Sequence, residues 1–374
     1  MNNALSTAMA FSDEQSMLLD TATDFFRDKA TIDYVRGQIE TPAGFDNELW
    51  QELAKLGWLG LAIPEESGGS GLGLAAAVPI SEPMGRQLFA APFLSTQLAV
   101  QALLHAPDAL SAEWLPKLAS GRIGTVAVSE PGGSWNLQNS ECVAAVTGSS
   151  LTLTGTKTFV ADAQAADVLV VSAHLNDAPV MVVVPTDLVP DGALTRQVVV
   201  DETRRCYQLA LDGIEVPAAN LIDGSRAKAA LGSVRNAALL LLSAEACGGI
   251  AGALDLIVEY LNTRTQFGRQ IGGYQALKHP TVDVLIGLER SRSHLYHAAS
   301  LLEQGLEPEV ALRMAKAEAG DSFAFAGDRA VQFHGGFGFT YECDAQLFLR
   351  RAMWCQYQFG DAAHHRKHLA DMLL

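Results

Sequence analysis

The chain has 374 residues, 49% hydrophobic and 18% charged, with a formal net charge of −16 at pH 7. That length and apolar content allow a large core and two or three domains, while the acidic balance argues against nucleic acid and anionic membranes as partners. Cys142, Cys206, Cys247, Cys343 and Cys355 lie far apart with no C-x-x-C pair, which argues against a disulfide framework and a zinc site; reduced thiols, a cytoplasmic location and no metal are the expectations.

The N-terminal "MNNALSTAMAFSDEQ" lacks a basic region followed by an apolar run, so no signal peptide is expected. From Ser12 to about Arg122 the texture is helical. "SDEQSMLLDTATDFFRDKA" has a Ser start, acids in its first turn and apolar residues at helical spacing. "ELWQELAKLG", "AAAVPISEPMGRQL" and "WLPKLASGR" read as further helices. At about Gly124 short β-branched runs bounded by Gly, Pro, Asp and Asn take over: "GTVAVSEPGG", "SLTLTGTKTFV", "DVLVVSAHL", "APVMVVVP", "TRQVVVDET" and "YQLALDGIEVP". After "NLIDGS" the helical period returns over Val234–Arg264, Gln275–Glu303, Pro308–Val331 and Cys343 to about Gln358. The apolar run "AALLLLSAEACGGIAGAL" is interrupted by Glu245 and glycines, so it reads as a buried helix and not a membrane span. The expected fold is α+β, with an N-terminal helical domain over 1–122, a central β-barrel or sandwich over 123–222 and a C-terminal four-helix bundle over 223–374.

Between two of the bundle segments lies "AVQFHGGFGFTYE", in which Gly335, Gly336 and Gly338 leave bare peptide units suited to an anion. No strand precedes it and neither G-x-G-x-x-G nor Gly-Lys-Ser/Thr is present, so it is neither a dinucleotide fingerprint nor a P-loop.

Five stretches in order, "GLAIPEESGGSGLGL", "VSEPGG", "LTGTKTFV", "RTQFGRQIGGYQALKH" and "QFHGGFGFTYE", resemble the acyl-CoA dehydrogenase family along nearly the whole chain. The resemblance implies FAD as cofactor, an acyl-CoA thioester as substrate, and removal of an α-proton by a carboxylate with the β-hydrogen leaving to the flavin. It implies that Arg264 pairs with the FAD pyrophosphate, a task suited to a forked guanidinium. Phe267 packs nearby, Gln275 starts the next helix, and the Gln332–Gly336 loop, with Gly335 and Gly336, reaches a cofactor held mainly by an adjacent subunit. At least a dimer is therefore expected. Val126, Val128 and Ser129 match the segment facing the flavin edge. Phe159 stands where many members have Trp, and Ala161 where they often have Thr, so at Ala161 only the backbone N–H can donate.

The family's base is absent from both of its usual places. Phe359 precedes Gly360 where a Glu is expected, and Ala238 occupies the alternative position on the first long bundle helix, with Leu239 in place of a neighbouring arginine. Glu245 lies seven residues beyond Ala238 on nearly the same helix face, and a lone Glu in an apolar run needs either a partner or a function. Asp361 is a second substitute, although capping the last helix is its simpler use. Arg235, His364 and His365 read as a helix-start residue and helix residues. Three functions remain open at this point. They are an FAD-dependent acyl-CoA dehydrogenase, a non-catalytic subunit completing the FAD sites of a heterotetramer with a related chain, and a flavin oxidase or monooxygenase on the same fold.

Overall fold

The computed structural model describes residues 13–374. Residues 1–12, including the expected helix start at Ser12 and most of the stretch without a leader pattern, lie outside the described residues. The chain packs as two compact units that do not follow chain order. One combines the N-terminal stretch up to Gly37 with Ala75–Phe89 and Leu239–Leu374; the other combines Gln38–Leu74 with Ala90–Ala238.

Among the described residues six helices come first: α1 (Asp13–Lys29), α2 (Ile32–Ile39), α3 (Asn47–Lys55), α4 (Val78–Arg86), α5 (Phe93–Leu103) and α6 (Asp108–Ala119). Asp46 caps α3 by accepting the Glu48 N–H at 2.7 Å, which satisfies one of the helix's orphan donors. The strands follow as β1 (Gly124–Ala127), β2 (Val143–Thr147), β3 (Ser150–Thr154), β4 (Thr156–Ala161), β5 (Val168–Leu175), β6 (Ala178–Pro185), β7 (Leu194–Gln197), β8 (Cys206–Ala210), β9 (Glu215–Pro217) and β10 (Leu221–Ile222). One sheet runs β10-β6-β5-β2-β3-β9, with β1 parallel to β5, and a second runs β4-β8-β7. Leu151, Val171 and Val182 of the first sheet and Val160, Tyr207 and Leu209 of the second share one apolar core, which makes this a sandwich.

Two local features shape it. Gly155 at φ +120 joins β3 to β4, and a Cβ there would lie 2.8 Å from Cys142 Sγ, so only glycine lets the chain change sheets at that point. The β-branched run Val198–Val200, expected to extend a strand, lies outside β7, and Val198 is 98% exposed. There the Asp201 side chain accepts the Thr203 N–H at 3.0 Å, an Asx turn that ends the extended course.

The second helical region comprises α7 (Gly224–Thr263), a hairpin of β11 (Thr265–Gln266) and β12 (Arg269–Gln270), then α8 (Gln275–Glu303), α9 (Glu309–His334), α10 (Ala345–Tyr357) and α11 (Ala362–Leu373). In the first unit α9 packs against α8, α10 and α11. α7 begins ten residues before its expected start. It is the only described helix long and apolar enough to cross a membrane, and 94% of that window is buried. Its small residues are there for close packing. A Cβ on Gly248 would lie 1.8 Å from the Glu82 carbonyl, one on Gly249 2.1 Å from the Phe323 ring, and one on Gly252 2.4 Å from the Arg86 carbonyl. Glu82 then crosses from α4 to α8, accepting from Arg292 Nε at 2.7 Å and from the Tyr296 hydroxyl at 2.8 Å.

Candidate functional site

The end of α7 and the end of α9 meet in the first unit. The Arg264 N–H closes the last turn of α7 on the Tyr260 carbonyl at 2.9 Å, and the Ile271 N–H returns to the Arg264 carbonyl at 2.9 Å. Between them the hairpin turns through Phe267 and Gly268 at φ +52 and +77, the left-handed pair of a tight hairpin. An aromatic there is strained; Phe267 is nevertheless 91% exposed, with its edge toward Tyr274. Arg264 is exposed, and its guanidinium has no hydrogen-bond or ion-pair partner among the described residues. Gln275 opens α8 and is exposed, and Gln332, one turn before the glycines, is exposed as well.

His334 closes α9. Its Nδ1 bonds the Ala330 carbonyl at 2.7 Å, and its ring stacks on Tyr260 with centroids 4.0 Å apart. The chain then turns at Gly335, φ 64 and ψ −141, a conformation that only glycine adopts freely. A Cβ on Gly338 would meet the Val331 carbonyl at 2.2 Å, so the loop folds flush onto α9. Beside the α-carbons of Gly335 and Gly336 there is open space. The Tyr260–His334 stack thus joins the helix that carries Arg264 to the loop of bare peptides. Spacing in the sequence carries no signal for that stack.

In the second unit, β1 holds Val126 buried in register with Val170 of β5. Val128 and Ser129, just past its end, are half-buried, and the Ser129 hydroxyl has no partner among the described residues. The Ser129 carbonyl accepts the Thr158 N–H at 2.9 Å, and Phe159, at φ +52, is 48% exposed. Ala161 accepts the Thr125 hydroxyl on its carbonyl at 2.7 Å. Beneath this rim the fully buried Lys157 ammonium bonds Glu130, with further bonds to Ser140 at 3.0 Å and Ser172 at 2.9 Å.

Burial pushes the Glu130 carboxyl up, but the bonds from Lys157, Ser140 and the Glu141 N–H outweigh it and hold the group at about 2. Between that value and the ordinary 4.5 the unfolded chain binds the extra proton, so stability falls as pH falls through this window. The expected loss is on the order of 3 kcal/mol for the full shift. Urea unfolding at about pH 5 and about pH 3, which spans most of this window, should show roughly 2 kcal/mol of it in the wild type and much less in Glu130→Gln.

Four positions bear on the missing base. Ala238 is fully buried on α7. Phe359, half-buried, sits at φ +56 before Gly360 at φ +107. Lys316, a buried α9 cation one turn beyond the buried Arg313, donates to the Gly360 carbonyl at 2.8 Å and to the Gln356 carbonyl at 3.1 Å, and burial pulls its ammonium down to about 8. Asp361 caps α11 by accepting the His364 N–H at 2.8 Å. Glu245, 5% exposed, is bound by the fully buried Arg351 at 2.6 Å, whose other arm reaches the Leu88 carbonyl at 3.1 Å. Arg350 lies over the Tyr341 ring and Arg235 bonds the Asn236 side chain.

Residues 12–122 match the acyl-CoA dehydrogenase N-terminal domain and residues 228–374 match the C-terminal domain. The acyl-CoA dehydrogenase IpdE2 of Mycolicibacterium smegmatis is 31% identical over 343 residues, 91% of this chain and 93% of that protein. The chain belongs to the acyl-CoA dehydrogenase family. FadE12 of Mycobacterium tuberculosis, also named an acyl-CoA dehydrogenase, is 30% identical over 309 residues, 79% of this chain and 80% of that protein. Among solved structures, the Tcur3481-Tcur3483 steroid ACAD G363A variant aligns with TM-score 0.86 at 29% identity, covering 96% of this chain and 98% of that one. The ChsE4-ChsE5 complex from M. tuberculosis aligns with TM-score 0.88 at 26% identity, covering 98% of each.

Acyl-CoA dehydrogenases are FAD-dependent flavoproteins, and the donors of this chain fit that cofactor. An unpaired guanidinium beside bare glycine peptides suits a diphosphate. A free Ser129 hydroxyl beside an exposed aromatic ring suits a flavin edge. One result should follow at Gly336, where an added Cβ meets nothing within 4 Å of the protein. If the loop meets FAD as the family resemblance implies, Gly336→Ala should melt like the wild type yet bind FAD at least about tenfold more weakly, because the methyl would crowd an approaching nucleotide. Thermal unfolding and FAD titration check the two halves.

Proposed function

We propose that this chain is a subunit of an FAD-dependent acyl-CoA dehydrogenase that introduces an α,β double bond into a CoA thioester, and that a second, related chain supplies the carboxylate taking the α-proton. The observation that carries this reading is the engagement of Glu245 by Arg351, with Ala238 and Phe359 at the two positions where the family carries its base. A buried carboxylate held by a buried guanidinium can accept a substrate proton only by breaking its own ion pair. Asp361 is occupied as a helix cap.

FAD, when bound, accepts the β-hydrogen of the acyl chain as hydride. Arg264 would hold the cofactor's diphosphate through its forked donors, and the Gly335 and Gly336 peptides would offer it N–H groups. Ser129 would bond the flavin edge and Phe159 would cover its ring. Raising the acidity of the α-proton belongs to the thioester, and receiving that proton falls to the partner chain.

Exposed Phe267, Phe337, Phe339, Val282, Leu285 and Ile286 in the first unit support association with other subunits. The Tcur3481-Tcur3483 and ChsE4-ChsE5 structures, each named for two components, support a heteromer, and the first, a steroid ACAD, supports a bulky acyl group. All five cysteines are free and buried, in keeping with a reducing cytoplasm. Co-expression with a related chain encoded beside it should give a yellow complex bleached anaerobically by acyl-CoA, and this chain alone should not bleach. Bleaching by the chain alone would overturn the division of labour; a colourless complex would overturn the flavin assignment.

A further inference from the structure

β4 is not a regular strand. Its pairing with β8 is registered at Lys157↔Leu209 and resumes at Val160↔Tyr207 with a shift, which leaves Thr158 and Phe159 out of the ladder. Bulges of this kind re-aim a side chain, and they recur beside functional sites. This one carries an aromatic residue at φ +52 whose ring is 48% exposed. Left-handed backbone is disfavoured for a side chain of that size, and a half-exposed residue gains only part of what full burial would give. The conformation persists only because neighbouring groups enforce it.

Gln197 supplies the enforcement. It is the last residue of β7, where pairing with Cys206 fixes its backbone. Its Oε1 accepts the Phe159 N–H at 2.8 Å, and its Nε2 donates to the Thr158 hydroxyl at 2.8 Å. The Thr158 N–H is taken by the Ser129 carbonyl at 2.9 Å, so both donors released by the bulge are satisfied. On the inner side the Lys157–Glu130 pair anchors the strand just before the bulge. One amide side chain therefore grips the two bulge residues, while the Thr158 N–H ties the bulge to the Ser129 carbonyl of the rim.

We infer that Gln197 is a positioning residue that holds the Phe159 ring outward against the planar ring system of the cofactor. The inference rests on the FAD reading above. It departs from the usual fate of such a sequence, in which a Phe within a strand turns into the core.

The test uses the full-length protein in complex with its partner chain, stripped of cofactor and titrated with FAD while the visible flavin spectrum is recorded. Gln197→Leu keeps the bulk but loses both bonds, and should weaken FAD binding about five- to tenfold and blur the fine structure of the flavin band. Gln197→Glu retains an acceptor for the Phe159 N–H and can accept the Thr158 hydroxyl, so it should restore both readouts to within about twofold. Phe159→Gly removes the ring and the strain together, and in that background Gln197→Leu should have no further effect on FAD. This background also serves if Gln197→Leu alone folds poorly. Undiminished binding and an unchanged spectrum in Gln197→Leu would overturn the inference while leaving the FAD reading intact. An equal loss from Gln197→Leu in the Phe159→Gly background would overturn it as well, since the amide would then act through general stability. A wild-type complex that takes up no FAD removes both readings.

Discussion

Arg351→Leu should destabilise the folded chain by about 3–5 kcal/mol in urea unfolding, because it removes the buried guanidinium that bonds the Glu245 carboxylate. The Arg351 side chain is fully buried and that of Glu245 is 7% exposed, so water cannot replace the lost partner. Arg351 also bonds the carbonyl of Leu88, a residue held at φ +54, and that acceptor would be left open too. The double variant Glu245→Leu/Arg351→Leu should recover most of the loss, since removing both charges of a buried pair is often neutral or stabilising. The same site separates structure from chemistry. If Glu245 serves the fold alone, Glu245→Gln assembled with the partner chain should be less stable yet still bleach with acyl-CoA at the wild-type rate. A stable Glu245→Gln complex that no longer bleaches would return Glu245 to the role of base. Anaerobic stopped-flow absorbance beside urea unfolding distinguishes the two.

This pair also marks where sequence reasoning stops. Periodicity exposed the succession of helices, strands and helices because each element answers to its own spacing of apolar residues. A Glu within an apolar run is visible as an anomaly, but its partner lies 106 residues away, and nothing local identifies it. The small residues around Glu245 read equally as room for an acyl chain or as close packing. The contacts of Gly248, Gly249 and Gly252 with α4, α9 and α10 account for them as packing.

Gln197 was hidden for a different reason. It sits in "TRQVVVDET", a run whose β-branched residues suggest a longer strand, yet Val198 emerges into solvent once no neighbour offers a ladder. A side chain that bonds the backbone of another strand leaves no periodic trace. Arg264, by contrast, is carried by the motif R-x-x-F-G and by its place at the end of a long helix, so the sequence alone singles it out.

For Arg264 the expectation is the reverse of that for Arg351: a large effect on the cofactor and almost none on the fold. Its guanidinium is exposed and makes no bond to the described residues, so Arg264→Leu should melt within a degree or so of the wild type. Losing two charge-assisted hydrogen bonds to a diphosphate removes roughly 3 kcal/mol, which corresponds to at least about a hundredfold weaker FAD binding. Arg264→Lys keeps the charge but not the fork, and should fall between, about tenfold below the wild type. Salt supplies an independent check. Wild-type affinity should decline as ionic strength rises, because an exposed ion pair is screened, whereas the Leu variant should have lost that dependence. FAD titrations of the three proteins at low and high salt, beside their melting curves, read all of this. Equal binding by the wild type and Arg264→Leu would mean that the α7 end and the Gly335–Gly336 loop are not a diphosphate site, whatever the rest of the fold resembles.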